Sequence, residues 1–578
     1  VLTAAAALLA AAPWIAACGS GGDGSGDREV PGFPPEPGPG QFPGITYPPA
    51  SGPLPKPASL KGPVWLVGVD GATLRMILPM AARGELPAFE GLMDSGSWGL
   101  LRSEEPMISP ALWATIATGT PRFTHGISNF RVRVPATYTL VQAGPPDRRA
   151  PALWEFVGAA GGTSAVVNWF GSFPAESIAG AYVSRGFDPE SPRPHQVHPP
   201  DLAERLASGA KVVMRKRDLE EIGWNEDYRK ALVDDARAMA ALQVVLQQDH
   251  PDFVAVYFSG IDIVQHAAWG HMDPASRAFP EDGEADPDLG RIIPAYYRYI
   301  DHMLGRIREM APRGTTLVVV SDHGAGPMRR DEAFVPSLPG LLEAMGLMRG
   351  EQGTLFTLSQ PYRHEKPVWI NIKDVESSGS VEPEQAAAIA ASVRDRLLAL
   401  RTESGEPIFT SVADLTTGPE WAPGDPALSV RFSYAARSAR TVDDGGRSIP
   451  ASAFVSRLPA ITGSHRPEGI LMLQGPGIRA GRLSDEAGIY QIAPTVLYLL
   501  GLPQDGRMLS VAPAGGGVLE AALEPSLLRK HPITMIPAYP GTDRGSLLRE
   551  SVAPDDPGEM DPAHDREIEK LRSLGYIR

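Results

Sequence analysis

Apolar positions along the chain gather into short unbroken runs, each closed by a polar or small residue. The first is Val64–Val69, which ends at Asp70-Gly71. The run at 165–167 leads to Asn168, and Phe253–Phe258 leads to Ser259-Gly260-Ile261-Asp262. The run at 317–320 leads to Ser321-Asp322-His323, and 469–473 forms another. Apolar runs of this length without alternation fit strands covered on both faces, as in a parallel sheet. Longer periodic stretches between them predict helices over 228–248 and 294–310. Strands alternating with helices predict an α/β fold: a three-layer α/β/α sandwich around a doubly wound, mostly parallel sheet. Ligands of such sheets sit beyond the carboxyl ends of the strands. Asp70, Asp262, Asp322 and His323 all fall there.

The rhythm breaks between 329 and 459, where a helix over 382–400 stands among weak strands. This stretch reads as a cap inserted over the active-site edge, between core parts at 63–328 and 460–512. Residues 513–578 read as an irregular extension, closed by a small amphipathic helix over 565–574.

The first 17 residues are apolar and uncharged, the length of a signal-peptide core and short for a membrane span. Ile15-Ala16-Ala17-Cys18 resembles the lipobox of bacterial lipoproteins. That resemblance implies a signal peptide over 1–18, a lipid anchor at Cys18, and export to the cell envelope or periplasm. An ordinary secretory signal cut near Ala17 is the alternative. Residues 19–62 hold 11 glycines and 11 prolines, too little apolar surface to offset ordering, and read as a tether. With 43% apolar and 21% charged residues, the rest of the chain can build a large core. The net charge of −15 argues against a nucleic-acid partner. It does not exclude a small phosphorylated substrate, because a bound metal ion can override the global charge locally. Cys18 is the single cysteine, which excludes an intramolecular disulfide and a Cys-rich zinc finger.

Asp262 and His266 are four apart, so on a helix they share a face. With Asp70, Asp322, His323 and His465 they make three aspartates and three histidines, a set suited to zinc and related divalent ions. Each alone reads more simply as a helix cap, loop former or surface residue. Ser109-Pro110 looks like the start of a helix, with Ser109 as its N-cap. The same position would set a hydroxyl nucleophile among free N–H groups that favour phosphate.

Taken in order, these segments resemble the alkaline phosphatase superfamily, most closely its type I phosphodiesterase and nucleotide pyrophosphatase branch. The resemblance rests on Gly68-Val69-Asp70-Gly71, the segment from Ser109 to Gly119, and Thr124-His125-Gly126-Ile127-Ser128-Asn129. It continues through Gly260-Ile261-Asp262-Ile263-Val264-Gln265-His266, Ser321-Asp322-His323-Gly324 and Gly463-Ser464-His465-Arg466-Pro467. It implies an alkaline phosphatase-like fold and two divalent ions, with zinc favoured over manganese. One ion would be bound by Asp70, Asp322 and His323 with the nucleophile Ser109, the other by Asp262, His266 and His465. Asn129 is the counterpart of the family's Asn that meets a phosphoryl oxygen, and His125 is structural. The implied activity is hydrolysis of a small phosphate diester or pyrophosphate through a phosphoseryl intermediate. A phosphomonoesterase, a headgroup transferase and a non-catalytic envelope binding protein are the alternatives. The family's Phe-Pro-Asn after the nucleophile is replaced by Pro110-Ala111-Leu112, which removes an aromatic wall of a nucleotide pocket. Trp169, Phe170 and Trp269 are candidates to line a substituent pocket, or simply core.

Overall fold

The computed structural model describes residues 47–544, except 51, 55–61, 135, 274–285, 329–333, 349–352, 359–364, 419–420, 458–461 and 514. Cys18, the lipobox and the helix expected over 565–574 lie outside the described residues.

The central sheet is built from β1 (Val64–Val69), β2 (Ser97–Arg102), β5 (Ser164–Val167), β6 (Gly180–Val183), β7 (Val197–His198), β8 (Phe253–Phe258), β9 (Thr316–Val320) and β21 (Glu468–Gln474). β22 (Gly481–Arg482) and β23 (Ala487–Gly488) extend its edge, and β3 (Arg131–Arg133) and β4 (Leu140–Gln142) form a separate hairpin. The strand order is β22-β2-β21-β9-β1-β8-β5-β6-β7, with β23 also on β2. The pairs β9–β1, β1–β8, β8–β5 and β5–β6 are parallel; β21 and β7 run antiparallel to their neighbours. The fold is therefore the expected mostly parallel α/β sandwich.

The period of two along each strand divides the core into two layers. Trp65, Val67 and Val69 face one layer with α1 (Leu74–Ala82), α2 (Pro87–Ser95), α5 (Glu226–Gln248), α6 (Gly260–Met272) and α7 (Pro287–Met310). Val64 and Leu66 face the other with α3 (Ser109–Thr118), α4 (Leu153–Ala159) and α9 (Ile492–Leu499).

The sequence placed the start of α7 at Pro294, but the helix begins at Pro287. Asp286 caps it, accepting from the N–H groups of Asp288 and Leu289, and leaves Pro294 inside. Proline is well suited to the first helical turn, so Pro287 takes that place.

The cap is inserted between β10 (Gly324–Pro327) and β20 (Gly463–Arg466), which pair antiparallel as its stem. It has its own core, with α8 (Ala386–Ala399) under a sheet of β12 (Leu355–Phe356), β13 (Glu365–Ile370), β16 (Leu428–Phe432) and β15 (Phe409–Asp414). Two smaller sheets complete it: β11 (Phe334–Pro336) with β19 (Val455–Arg457), and β14 (Arg401–Thr402) with β17 (Thr441–Asp444) and β18 (Arg447–Pro450).

Part of the expected tether is bound to the body. Pro49 bridges to Met535, the Ala50 N–H donates to Met535 O at 2.8 Å, and Tyr47 and Leu54 pack on the second core layer. The chain from 515 to 544 is likewise integral. Leu519, Leu523, Leu527 and Tyr539 are buried in that layer, and Arg544 is paired with Glu155 and Glu176.

Candidate active site

The three central strands β9, β1 and β8 end side by side, and each delivers site residues. Asp70 follows β1 and Asp322-His323 follow β9. After β8 the chain enters α6, which carries Asp262 and His266 one turn apart. Asp235 of α5 fixes the entry to α6, accepting from the N–H groups of Ser259 (2.9 Å) and Gly260 (3.1 Å) and from Tyr296 Oη (2.8 Å). His465 arrives on β20, opposite Ala325 of β10. Gly71 makes this close approach possible. Its φ is +68°, and a Cβ there would lie 3.0 Å from the Asp262 side chain.

All six expected ligands meet in one buried place. His266 Nε2 lies 2.9 Å from His465 Nε2 and 3.3 Å from Asp262 Oδ1, and His465 Nε2 is 3.5 Å from the same oxygen. His323 Nε2 lies 3.5 Å from both Asp70 Oδ1 and Asp322 Oδ2. Two clusters have metal-ligand spacing: Asp70 with Asp322 and His323, and Asp262 with His323 and His465. The first matches the expected set. In the second, His323 also comes within reach, so the division of the histidines is less sharp than the resemblance implies.

Each histidine spends Nδ1 on a backbone carbonyl: His266 on Gly463 (3.1 Å), His323 on Gly324 (3.0 Å) and His465 on Met107 (3.0 Å). A carbonyl only accepts, so Nδ1 carries the proton and the Nε2 lone pair faces the cluster. Two such lone pairs at 2.9 Å repel unless a cation lies between them. Asp70 Oδ1, Asp262 Oδ1, Asp322 Oδ2 and His323 Nε2 are buried without a hydrogen bond among the described residues. An unpartnered buried polar atom costs about 1–3 kcal/mol. Four of them converging beside crowded lone pairs fit a site for divalent metal.

The electrostatics agree. Burial, then the charge of Asp262, pushes the Asp70 carboxyl up to about 7. Burial with Asp70 and Asp262 raises Asp322 well above the carboxylate range. Burial lowers His266 to about 4 and holds His323 low as well. Burial opposes ionisation of Asp262, but His266 and His465 outweigh it and keep Asp262 ionised. Burial also works against charge on His465, yet the Asp262 carboxylate beside it raises it.

Helix α3 is pinned to both sides of this centre. Met107, just before it, holds His465, and Trp113 donates from Nε1 to Asp70 Oδ2 at 3.1 Å. Tyr257 donates its hydroxyl to the same oxygen at 2.5 Å. Trp113 and Tyr257 were not found from the sequence; both sit in apolar runs, where an aromatic reads as core. Ser109 lies between the two attachments. It is the first helical residue rather than the N-cap, which is Ile108. The N–H groups of Ala111 and Leu112 already bond Ile108 O and Pro110 has none, so only the Ser109 N–H remains for an anion. The Ser109 hydroxyl makes no hydrogen bond among the described residues.

Asn129 is buried near the base of the β3–β4 hairpin, with Oδ1 accepting from the Phe130 N–H at 2.8 Å. His125 is structural. Its Nδ1 accepts from the Ile127 N–H and its Nε2 donates to Thr115 Oγ1, both at 3.1 Å. Burial, then Arg148 and Arg122, push its pKa down to about 3, against 6.5 when unfolded. The unfolded chain therefore binds a proton that the folded one refuses. The stability this residue supplies is complete above 6.5 and is lost as pH falls towards 3. We expect His125→Asn to cost about 1–3 kcal/mol at pH 7. In urea unfolding the gap to the parent should narrow by up to about 1.4 kcal/mol per pH unit below pH 6. Parallel curves at pH 7 and pH 5 would show that His125 is not held neutral.

Trp269 is buried in the first core layer and Trp169 in the second. Trp169 and Phe170 border a cavity with Pro110, Ala114 and Trp154, but its volume is about 20 Å³, room for about one water. Phe170 is half-buried and packs edge-on against Tyr257 at 5.8 Å.

No curated protein matches the chain. Among solved structures it is similar to the phosphonoacetate hydrolase of Sinorhizobium meliloti, determined with phosphonoacetate, at 15% identity and a TM-score of 0.45. That match covers 81% of this chain and 99% of the other. It is also similar to murine ectonucleotide pyrophosphatase / phosphodiesterase 5, determined with AMP, at 13% identity and a TM-score of 0.42, covering 76% and 96%. The human form of that protein is similar at 13% identity and a TM-score of 0.43, covering 76% and 95%. The profile of the family of type I phosphodiesterases and nucleotide pyrophosphatases matches residues 64–424, from β1 into the cap and so up to a point before His465. That match spans more than half of the chain and takes in Asp70, Ser109, Asp262, His266, Asp322 and His323. The protein thus belongs to the type I phosphodiesterase / nucleotide pyrophosphatase family of phosphoester hydrolases.

Proposed function

We propose that the protein hydrolyses small phosphate diesters or pyrophosphates through a phosphoseryl intermediate on Ser109, with two divalent ions, zinc by the character of the donors. The observation that carries this reading is the set of buried ligand atoms of Asp70, Asp262, Asp322 and His323 that have no hydrogen bond among the described residues, next to the start of α3. Asp70, Asp322 and His323 would hold one ion and Asp262, His266 and His465 the other. When bound, the ions supply positive charge that lowers the pKa of a hydroxyl and neutralises phosphoryl and leaving oxygens.

The chain's own residues supply position. Ser109 Oγ, without a hydrogen bond among the described residues, attacks phosphorus in line with the leaving oxygen, which departs with the proton that the hydroxyl gives up. The Ser109 N–H and Asn129 hold a phosphoryl oxygen as charge develops on it. Trp113 and Tyr257 fix the Asp70 carboxylate, and the three backbone carbonyls fix the histidine rings, so little reorganises during transfer. Water then cleaves the phosphoseryl bond and restores the hydroxyl. The apolar stretch before Cys18 supports a further reading, that the enzyme is exported and lipid-anchored at the cell envelope.

The test compares zinc-loaded full-length protein on bis-p-nitrophenyl phosphate and p-nitrophenyl phosphate. A higher kcat/KM for the diester is expected. A preference for the monoester would replace this reading with a phosphomonoesterase, and no turnover of either substrate by protein with bound zinc would count against both.

A further inference from the structure

Among the described residues, the cap meets the core at two places, and both adjoin candidate site residues. One is the stem, where β10 follows His323 and β20 holds His465. The other is the β3–β4 hairpin, which begins directly after Asn129-Phe130 and reaches into the cap. We propose that this hairpin fixes the cap's position over the catalytic edge, and that Arg133 is a positioning residue acting through Asn129. The proposal rests on the reading above that Asn129 meets the phosphoryl group.

Every side of the Arg133 guanidinium is used. Nε donates to Thr137 O within the hairpin at 2.7 Å, Nη1 to Gly424 O of the cap at 3.0 Å, and Nη2 pairs with Glu376 of the cap. The pair is almost fully buried, with side chains 8% and 0% exposed. The guanidinium also lies 5.0 Å from the ring centre of Phe356 and 5.3 Å from that of Trp369, and these two rings stack at 5.5 Å. At the hairpin tip Tyr138 donates to Asn371 Oδ1 at 2.5 Å and accepts from the Ser378 N–H at 3.2 Å.

The other end of the hairpin leads to the site. The Ala143 N–H closes its base on Phe130 O at 2.9 Å, and the Phe130 N–H holds Asn129 Oδ1. The Phe130 ring packs on Phe170 at 6.0 Å, and Phe170 packs on Tyr257, which holds Asp70. A buried ion pair is a weak source of net stability, because desolvation offsets its attraction. Its best-supported use is to specify one geometry. A planar fork lying against two rings and bonded to three partners defines such a geometry, and a point charge would not.

The experiment uses the full chain loaded with zinc. Arg133→Met and Glu376→Gln are made alone and with Asn129→Ala, and kcat and KM are measured on bis-p-nitrophenyl phosphate. Arg133→Met is expected to lower kcat at least tenfold with zinc content unchanged, and Arg133→Lys to recover only part of that loss. In the Asn129→Ala background, Arg133→Met should cost less than a further threefold, because its route to the substrate has gone. If Arg133→Met does not fold, the near-isosteric Glu376→Gln carries the same comparison. Losses that multiply in the double variant, or an unchanged kcat in both single variants, would overturn the proposal while leaving Asn129's role intact. An Asn129→Ala protein as active as the parent would instead remove the phosphoryl contact itself, and the proposal with it.

Discussion

Ser109→Ala is expected to lower turnover of bis-p-nitrophenyl phosphate by at least about 10³-fold, the scale on which a covalent nucleophile is lost. It should do so without unfolding the protein or emptying the metal site. Ser109 is not the helix cap, and its hydroxyl bonds nothing among the described residues. The usual N-cap penalty of about 1 kcal/mol therefore does not apply, and a stability change within about 0.5 kcal/mol is expected. Asp70, Asp322 and His323 still converge, so the variant should gain thermal stability from zinc much as the parent does. Ser109→Thr keeps the hydroxyl and should retain measurable turnover. Chemical quench of the parent during turnover should trap a p-nitrophenyl phosphoryl ester on Ser109, formed as one p-nitrophenol leaves, and none on the alanine variant. Full activity of Ser109→Ala would show that the nucleophile is not this hydroxyl.

The strand ends were legible because burial on both sides leaves continuous apolar runs, and the polar residue closing each run stands where such sheets place their ligands. Phe253–Phe258 emerged with its expected bounds, and β1 ended at Val69, directly before Asp70, as read. Edge elements were not legible. β2 alternates between buried and half-buried positions, with Gly99 in its middle, and β7 is two residues long. Five of the six candidate ligands could be found because each stands at a turn after an apolar run or on one helical face, whereas His465 was read before a late strand and lies within β20. Their supports could not. Tyr257, Trp113 and Met107 act through contacts between segments far apart in the chain, and an apolar run gives no sign of which aromatic ring ends on a carboxylate. The hairpin's hold on the cap was hidden for the same reason, since Arg133 and Glu376 are 243 residues apart. Ser109-Pro110 has the composition of a cap, but the helix starts one residue earlier, with Ile108 as its N-cap.

Asp322→Asn is the second large effect, and its two halves have opposite signs. The Asp322 side chain is fully buried beside Asp70 and Asp262. Burial and those two charges raise its pKa in the folded protein above the unfolded value of 3.8. A raised acid stabilises the fold at low pH and loses that contribution as pH rises, because the folded state must then hold an unwelcome charge. The amide has the shape of the carboxyl and never takes the charge. Metal-free Asp322→Asn should therefore melt at or above the parent at pH 8, with the gap closing towards pH 4. With zinc the order reverses. A ligand at 100 times its dissociation constant adds about 2.7 kcal/mol to stability, and the parent should show a gain of that size. The variant, with one anionic donor gone from its cluster, should show little of it and should bind one ion fewer by elemental analysis. Charge stabilisation by a bound ion is worth several kcal/mol in the transition state, so turnover should fall by about 10²-fold or more. Calorimetry with and without zinc at the two pH values reads both halves in one protein. An Asp322→Asn variant that binds as much zinc and gains as much stability as the parent would place the metal elsewhere. One that melts lower without zinc would show that Asp322 is a structural carboxylate rather than a ligand held ready for a cation.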